Sequence, residues 1–308
     1  WEICKKNYYD FGIDAFWLDN SEPDYGVYDF DHYRYIAGPA LSCSNIYPQL
    51  YSRVFYDNMK DLGDGTVINL LRCAWAGSQK YGVLTWSGDI YSSFRSMREQ
   101  LQAGLSMGMA GIPWWTSDIG GFLGGQIDKP EFQELLVRWF AWGAFCPVFR
   151  MHGERSPWYE REEEFRNGVR QLTSGQDNEV WSFGEDNYEI LKKYLFIRER
   201  LRPYVRKCME EASNSGAPVM RPLFYEFPKD AECWNVEDSY MFGSDLLVSP
   251  VMEAGATERR IYLPAGCKWT DAYTKKEYDG GQYVTVPAPI DIIPVMMREG
   301  CDYPIYND

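Results

Sequence analysis

Three apolar segments in the first 120 residues each run into an aspartate that stands two or three residues after a tryptophan. Residues 13–18 lead to Asp19, residues 83–86 to Asp89 and residues 112–115 to Asp118. Short segments rich in branched and aromatic side chains are typical of strands buried on both faces of a parallel sheet. Because parallel strands end at a common edge, we expect the three carboxylates to gather there.

Two further apolar segments, residues 67–71 and 145–149, complete a set of five predicted strands. Helices are predicted between and after them, at residues 131–140 and 188–212 and along an apolar stripe with a four-residue repeat. That stripe consists of Met97, Leu101, Leu105 and Met109. Alternating strands and helices indicate an α/β fold, either a doubly wound sheet or a (β/α)8 barrel.

The (β/α)8 TIM barrel is the favoured reading of residues 1–217, although five strands do not close a barrel of eight. No Gly-rich phosphate loop follows a strand, which argues against a nucleotide-binding sheet. We therefore expect the C-terminal portion of a barrel. Beyond about Ala217, short β-like runs separated by Gly, Pro and Asp predict a small β-sandwich domain at residues 218–308.

The first residues read as the middle of a helix, without a start methionine or a signal peptide. We therefore interpret the chain as part of a longer protein. Half a barrel leaves two open sheet edges, which is an aggregation hazard. The missing half is expected in cis or as another chain.

The charge balance excludes some partners. With 31 Lys and Arg against 45 Asp and Glu, the net charge of −14 disfavours nucleic acids and anionic membrane surfaces. No apolar run approaches the roughly 20 residues of a membrane helix. Aromatic residues reach 17%, which suits a carbohydrate-binding cleft and also a thick core.

The eight cysteines form no CxxC motif and no cluster with zinc spacing. Buried free thiols are the expected state, and they favour a reducing compartment such as the cytoplasm without establishing the location. We predict no metal and no cofactor.

Paired carboxylates at facing strand ends suit acid/base and nucleophilic chemistry, with one group ionised and the other protonated. Glycosidic bond cleavage uses such a pair. The alternative is that Asp19 and Asp89 cap the helices that follow. Three Trp-associated aspartates at successive strand ends favour the catalytic reading.

Four ordered motifs resemble glycoside hydrolase family 31. Residues 16–22 (FWLDNSE) resemble its nucleophile signature, and residues 72–89 contain a region similar to its general acid/base segment. Residues 111–122 (GIPWWTSDIGGF) and 149–153 (FRMHG) resemble its later strand-end motifs. Residues 220–222 and 242–251 extend the likeness, which covers nearly the whole chain. It implies a (β/α)8 barrel followed by β-domains and an enzyme that retains the anomeric configuration.

Carried over residue by residue, the resemblance makes Asp19 the nucleophile and Asp89 the general acid/base. An arginine near Asp19 would stabilise its ionised form. The other residues expected to contact the sugar are Arg72, Trp86, Asp118, His152, Trp17 and Trp115. Glu22 could support the catalytic groups indirectly or hold its loop, and the loop is favoured. The chain departs from the family in lacking the first three barrel strands, and it has Cys73 where a serine is common.

The resemblance implies a retaining α-glycosidase acting on terminal α-linked xylosides or glucosides of oligosaccharides. Residues 38–41 and 45–48 resemble the α-xylosidase branch. An α-galactosidase or a transglycosylase of the same family stays open. So does an inactive carbohydrate-binding fragment that needs the missing half of the barrel, although the intact Asp19 and Asp89 speak against it.

Overall fold

The structure is a computed structural model that describes residues 1–22, 33–63, 65–157, 165–166, 169–170 and 175–306. The helices before residue 217 are α1 (Glu2–Asn7), α2 (Ala40–Cys43), α3 (Tyr47–Asp61), α4 (Phe94–Met109), α5 (Pro130–Gly143), α6 (Glu185–Arg200) and α7 (Arg202–Ser215). The strands of this part are β1 (Trp17–Leu18), β2 (Arg34–Tyr35), β3 (Gly38–Pro39), β4 (Asn69–Leu71), β5 (Val83–Trp86), β6 (Trp115–Thr116), β7 (Gly125–Gln126), β8 (Arg155–Ser156), β9 (Phe165–Arg166) and β10 (Val169–Arg170). Short 3-10 turns occupy Tyr9–Phe11, Ser44–Ile46 and Ser78–Tyr81.

Four of these strands form a parallel sheet in the order β1–β4–β5–β6. Leu70 of β4 pairs with Trp17 of β1 on one side and with Leu84 of β5 on the other. The four strands coincide with four of the five predicted segments, and their parallel arrangement is confirmed. Their C-terminal ends therefore lie along one edge.

The predicted strand at residues 145–149 is wrong. The amide of Cys146 donates back into the last turn of α5 at 3.0 Å, so the chain leaves that helix through tight turns. Pro147 has no amide hydrogen to give to a ladder. Val148 still reaches the sheet, because its amide donates to the Trp115 carbonyl oxygen at 3.4 Å.

Helix α4 covers one face of the sheet. Ser93 is its N-cap and accepts a hydrogen bond from the Ser96 amide at 3.0 Å. Gly104 allows the close approach of Trp115, since a Cβ atom at residue 104 would lie 2.9 Å from that indole ring. In the predicted stripe, Met97, Leu101 and Leu105 are buried, whereas Met109 in the last turn is exposed.

The predicted helix at residues 188–212 is two helices. Helix α6 ends at Arg200, and α7 begins at Arg202. Pro203 lies in the first turn of α7, where its missing amide hydrogen has no helical partner to lose. In the interior of one continuous helix the same proline would break the hydrogen-bond ladder.

Two antiparallel sheets and a short helix, α8 (Leu223–Glu226), form the C-terminal part. The strands are β11 (Met220–Pro222), β12 (Tyr240–Phe242), β13 (Leu246–Val248), β14 (Glu258–Leu263), β15 (Lys268–Asp271), β16 (Glu277–Asp279), β17 (Gln282–Pro287) and β18 (Val295–Arg298), and a 3-10 turn occupies Ala231–Trp234. The larger sheet has the order β11–β12–β13–β18–β15–β16, and β14 pairs with β17.

An apolar core joins these two sheets. Met241, Leu247 and Trp269 from the larger sheet pack in one cluster with Ile261 and Val286 from the β14–β17 pair. All five side chains are buried. The predicted small β-sandwich is confirmed.

Arg138 of α5 ties the barrel part to the sandwich. Its side chain is 4% exposed and donates to the carbonyl oxygens of Pro289 and Ala256, both at 2.7 Å. Two longer bonds reach Ala288 and Ile292. A continuous apolar cluster also runs from α4 and α5 to β12, β13 and β18. The two parts therefore share one core.

All eight cysteines lie in the described residues, and none forms a disulfide. Burial raises the pKa of the Cys146 thiol well above its ordinary value, which keeps it protonated and inert. Among the described helices, none combines the length and apolar composition that crossing a bilayer requires.

Replacing Arg138 with Met should reduce the free energy of unfolding by about 2–4 kcal/mol, because it removes the donors of several buried carbonyl groups. Urea unfolding followed by tryptophan fluorescence measures the loss. Arg95→Met is the matched control, since the Arg95 side chain is 87% exposed and its loss should cost less than about 1 kcal/mol. Equal losses in the two variants would contradict the role of Arg138.

Candidate active site

The order of the sheet places Arg72 between Asp19 and Asp89. Asp19 directly follows β1, Arg72 directly follows β4, and Asp89 lies three residues beyond β5. Since β4 is hydrogen-bonded to both β1 and β5, the arginine occupies the middle strand end. The strand ends alone thus bring together one cation and two carboxylates.

One nitrogen of Arg72 is shared by the two carboxylates. Its Nη1 lies 3.4 Å from Asp19 Oδ1 and 3.7 Å from Asp89 Oδ2. The two oxygens are therefore at most about 7 Å apart, the sum of these two distances. The predicted convergence of Asp19 and Asp89 is present in the structure.

The other terminal nitrogen of Arg72 has different partners. Its Nη2 donates to Asn20 Oδ1 at 2.6 Å and forms an ion pair with Glu22 Oε1. Burial is the largest single influence and acts to raise the pKa of Glu22, but the hydrogen bonds to its carboxylate, that of Arg72 foremost, and the positive charge of Arg72 together outweigh it, and the pKa is lowered. Glu22 is therefore a partner of Arg72. The sequence alone favours a different role for it, that of holding its loop.

Asn20 forms the turn at the end of β1. Its backbone lies in the left-handed region with φ +49°, which asparagine tolerates better than most residues. This conformation lets the Asn20 amide donate to Asp19 Oδ1 at 2.8 Å. The turn therefore orients the Asp19 carboxylate.

Aromatic rings line the site beside the carboxylates. The Trp17 ring lies 5.9 Å from that of Trp86 and 5.3 Å from the imidazole of His152, which stacks on Phe122 at 5.5 Å. Burial lowers the pKa of His152, although the Asp118 carboxylate opposes the shift. His152 is therefore a neutral imidazole at pH 7 and can exchange hydrogen bonds with a ligand hydroxyl.

Arg150 connects the Asp118 carboxylate to Trp86 at the site. The Asp118 carboxylate is fully buried and forms an ion pair with Arg150 Nη1, while the Arg150 guanidinium lies 5.7 Å from the Trp86 ring. Asp118 Oδ2 is buried without a hydrogen-bond partner in the described residues. Complete burial raises the pKa of Asp118, and Arg150 offsets part of that rise.

Trp115 is placed away from the cluster. Its ring is 2% exposed and packs against Gly104 of α4 and against Trp142 of α5, with the two indole centroids 6.2 Å apart. Successive strand residues point to opposite faces. Trp115 therefore faces the helices, and it contributes to the core between sheet and helix.

Arg155 supports the loop that follows β6. Its fully buried guanidinium donates to the carbonyl oxygens of Ile119 at 3.0 Å and Gly121 at 2.8 Å, and to Asn178 Oδ1 at 2.7 Å. Gly121 has φ +80° and contacts Ser92 so closely that a Cβ atom would lie 2.6 Å from its backbone. Gly121 of the motif is thus needed for close packing against Ser92.

The catalytic candidates are open to solvent in this chain. The side chains of Asp19 and Asp89 are 44% and 50% exposed, and that of Arg72 is 21% exposed. An open pocket of about 430 Å³ is lined by Glu22, Arg72, Cys73, Ser87, Gly88 and Asp89. The pocket has room for a sugar ring but little enclosure.

Sequence reasoning assigned no role to Arg150, Phe122 or Arg155. Arg150 and Phe122 lie inside two of the family motifs, and this position indicates that they are near the site. The motif does not predict which residue each side chain contacts. Within the described part of the chain, no three His, Cys, Asp or Glu side chains cluster as metal ligands would. The groups gathered here can supply a nucleophile, a proton donor and hydroxyl-binding partners.

Comparison with known proteins identifies the family of this chain. Residues 1–207 match the description "Glycosyl hydrolases family 31 TIM-barrel domain", and residues 216–301 match "Glycosyl hydrolase family 31 C-terminal domain". The chain belongs to glycoside hydrolase family 31. Its fold is therefore a TIM-barrel domain, present in part, with a C-terminal β-sheet domain.

Three relatives show which members of the family this chain resembles. A crystal structure of a family 31 α-xylosidase from a soil metagenome, complexed with xylose, is 57% identical with a TM-score of 0.94, covering 98% of this chain and 44% of that one. The "Alpha-xylosidase" of Saccharolobus solfataricus is 33% identical over 97% of this chain and 39% of its own length. The "Uncharacterized family 31 glucosidase ORF2" of Pseudescherichia vulneris is 61% identical over 51% of this chain and 30% of its own.

The chain thus spans less than half the length of each of these relatives.

Arg150→Met should destabilise the fold by about 3–5 kcal/mol near pH 7, because Asp118 is left buried without its cation. Burial raises the folded-state pKa of Asp118 above its unfolded value, so the penalty should shrink as the pH falls toward about 5 and Asp118 takes up a proton. Urea unfolding at both pH values measures it. Adding Asp118→Asn should abolish the pH dependence, and a penalty that grew at low pH would contradict this account.

Proposed function

We propose that this chain carries the catalytic pair of a retaining α-glycosidase, with Asp19 as nucleophile and Asp89 as general acid/base. The supporting observation is the shared Arg72 Nη1, which lies 3.4 and 3.7 Å from the two carboxylates. Their upper limit of about 7 Å accommodates the roughly 5–5.5 Å of a retaining pair and lies near the bottom of the roughly 6.5–9.5 Å of an inverting pair.

In the first step, the Asp19 carboxylate attacks the anomeric carbon of the substrate. The bond from that carbon to the glycosidic oxygen breaks, and Asp89 donates its proton to the departing oxygen. An ester between Asp19 and the sugar results. Arg72 stabilises the charge on both carboxyl groups as the proton leaves Asp89.

In the second step, the ionised Asp89 accepts a proton from a water molecule. The water oxygen attacks the anomeric carbon, and Asp19 leaves as a carboxylate. Two displacements at one carbon restore the original anomeric configuration. The neutral His152 is positioned to bond a sugar hydroxyl, and such a bond strengthens as positive charge develops on the ring.

An α-linked xyloside is the preferred substrate in this proposal. The α-xylosidase names of two relatives that align with nearly the whole chain support it. An α-linked glucoside is the second candidate, favoured by the relative named as a glucosidase with 61% identity over half of the chain. Initial rates on matched aryl α-xylosides and α-glucosides, measured on the longer protein that contains this chain, distinguish the two.

The remaining wall of the pocket is proposed to come from protein outside these 308 residues. Exposed Trp17, Asp19 and Asp89 support this, because a closed site would exclude water from groups that act on a glycosidic bond. The share of each relative that the chain spans supports it too. The missing segment would lie beside β1, which pairs in the parallel sheet with β4.

Treatment of the active protein with a 5-fluoro-α-glycosyl fluoride should place the label on Asp19, because the fluorine slows hydrolysis of the glycosyl ester. Peptide mass spectrometry identifies the labelled residue. Asp14, an aspartate five residues earlier in the same segment, serves as the internal control and should stay unlabelled. A label on Asp89 or on any other residue would refute the nucleophile assignment.

Asp89→Ala should reduce kcat/KM by about 10²–10⁴-fold on substrates with poor leaving groups and far less on activated aryl glycosides, because general acid catalysis matters most for a poor leaving group. Added azide should restore turnover and yield the α-glycosyl azide, since Asp19 still forms the ester, azide replaces water in the second displacement, and no carboxylate at residue 89 repels the anion. Product analysis by NMR measures this. Asp186→Ala, in the first turn of α6, is the control and should resemble wild type.

A further inference from the structure

The guanidinium of Arg72 is divided between two sets of partners. Its Nη1 faces Asp19 and Asp89 at 3.4 and 3.7 Å. Its Nη2 is bound by Glu22 Oε1 and by Asn20 Oδ1. Three carboxylates thus surround one cation, but the two proposed catalytic groups share a single nitrogen.

This division is not what two strand-end carboxylates would produce by themselves. A guanidinium next to a carboxylate favours the bidentate fork, with both terminal nitrogens on one partner. Such a pair would bring Arg72 fully onto either Asp19 or Asp89 and leave the other without a cation. Other groups must therefore occupy Nη2, and in the structure they are the Glu22 carboxylate and the Asn20 amide oxygen.

Contacts between the segments that follow β1 and β4 fix the position of Glu22. The neighbouring Ser21 is completely buried, and its Oγ accepts a hydrogen bond from the Cys73 amide at 3.2 Å. Ser21 Oγ also lies 3.5 Å from Cys73 Sγ. This link fastens residues 21–22 to residues 72–73, so Glu22 and Arg72 are held face to face.

We propose that Glu22 is a positioning residue for catalysis: by holding Nη2 of Arg72 it keeps Nη1 midway between Asp19 and Asp89. The proposal rests on the proposed function of those two carboxylates. In this proposal Glu22 acts on the reaction through Arg72 and not as a nucleophile or an acid. Its negative charge also offsets the positive charge of Arg72, which limits how strongly that cation favours the ionised form of the two catalytic groups.

Two substitutions separate the charge of Glu22 from its hydrogen bond. Glu22→Gln keeps an acceptor for Nη2 but removes the charge, and Glu22→Ala removes both. Without the charge, Arg72 favours the ionised forms of Asp19 and Asp89 more strongly, so both limbs of the kcat/KM profile should move to lower pH by about half a unit. Burial and, after it, the charge of Glu22 raise the pKa of the Cys73 thiol, the other titratable group beside Arg72, so the pKa of this thiol should fall in both variants.

Loss of the hydrogen bond should act on the rate. In Glu22→Ala, only the neutral Asn20 Oδ1 still holds Nη2. A charged fork with one catalytic carboxylate then competes with that bond, and kcat/KM should fall by about 10²-fold, as expected for a misplaced catalytic group. Glu22→Asp keeps the charge and should leave the pH limbs in place. Glu99→Gln removes the exposed partner of Arg95 and should match wild type in both rate and pH profile.

A second readout does not depend on activity. In ¹⁵N spectra of the arginine side chains, Arg72 of the wild type should show restricted rotation of its guanidinium, and that signal should average in Glu22→Ala. Arg72→Lys assigns the resonance. If wild type and Glu22→Ala give the same Arg72 signal, or if Glu22→Ala retains wild-type kcat/KM and Glu22→Gln retains the wild-type pH limbs, the proposal is overturned.

The two proposals fail separately. A wild-type protein that hydrolyses no α-glycoside would refute the proposed function, while the Arg72 spectra would still decide whether Glu22 holds the guanidinium. An active wild type with an unaffected Glu22→Ala variant would refute the positioning role and leave the catalytic pair standing.

Discussion

The placement of one guanidinium at the middle of a sheet edge organises this site. Arg72 ends the strand that lies between the strands of Asp19 and Asp89, so its charge compensates both carboxylates at 3.4 and 3.7 Å. Two negative charges this close repel each other, and the shared cation offsets that repulsion. Glu22 and the turn at Asn20 set which nitrogen of Arg72 serves that purpose.

Three arginines hold other parts of the fold around this edge. Arg155 binds the loop after β6 through backbone carbonyl groups, Arg198 binds the carbonyl oxygens of residues 144, 146 and 147, and Arg138 binds the sandwich to α5. Each planar fork satisfies several acceptors at once. Irregular segments beside the site are thereby held without regular secondary structure.

Much of the architecture could be predicted from apolar patterns and from the Gly, Pro and Asp residues that end strands and helices. Short buried strands and the Gly, Pro and Asp turns of the sandwich are local signals, and the structure agrees with them. The errors arose where a local signal was ambiguous. Residues 145–149 are as apolar as a strand but form turns at the end of a helix, and Pro203 divides a periodic run into two helices.

The sequence by itself determined which residues stand at the strand ends, because residue order along βα units settles that, and its motifs indicated the chemistry of Asp19 and Asp89. Tertiary structure alone decided the partner of each side chain. Trp115 faces the helices, Asp118 acts through Arg150, and Glu22 binds Arg72. These outcomes depend on which strands are neighbours and which face of each strand is covered, and both are set by packing between segments distant in the chain.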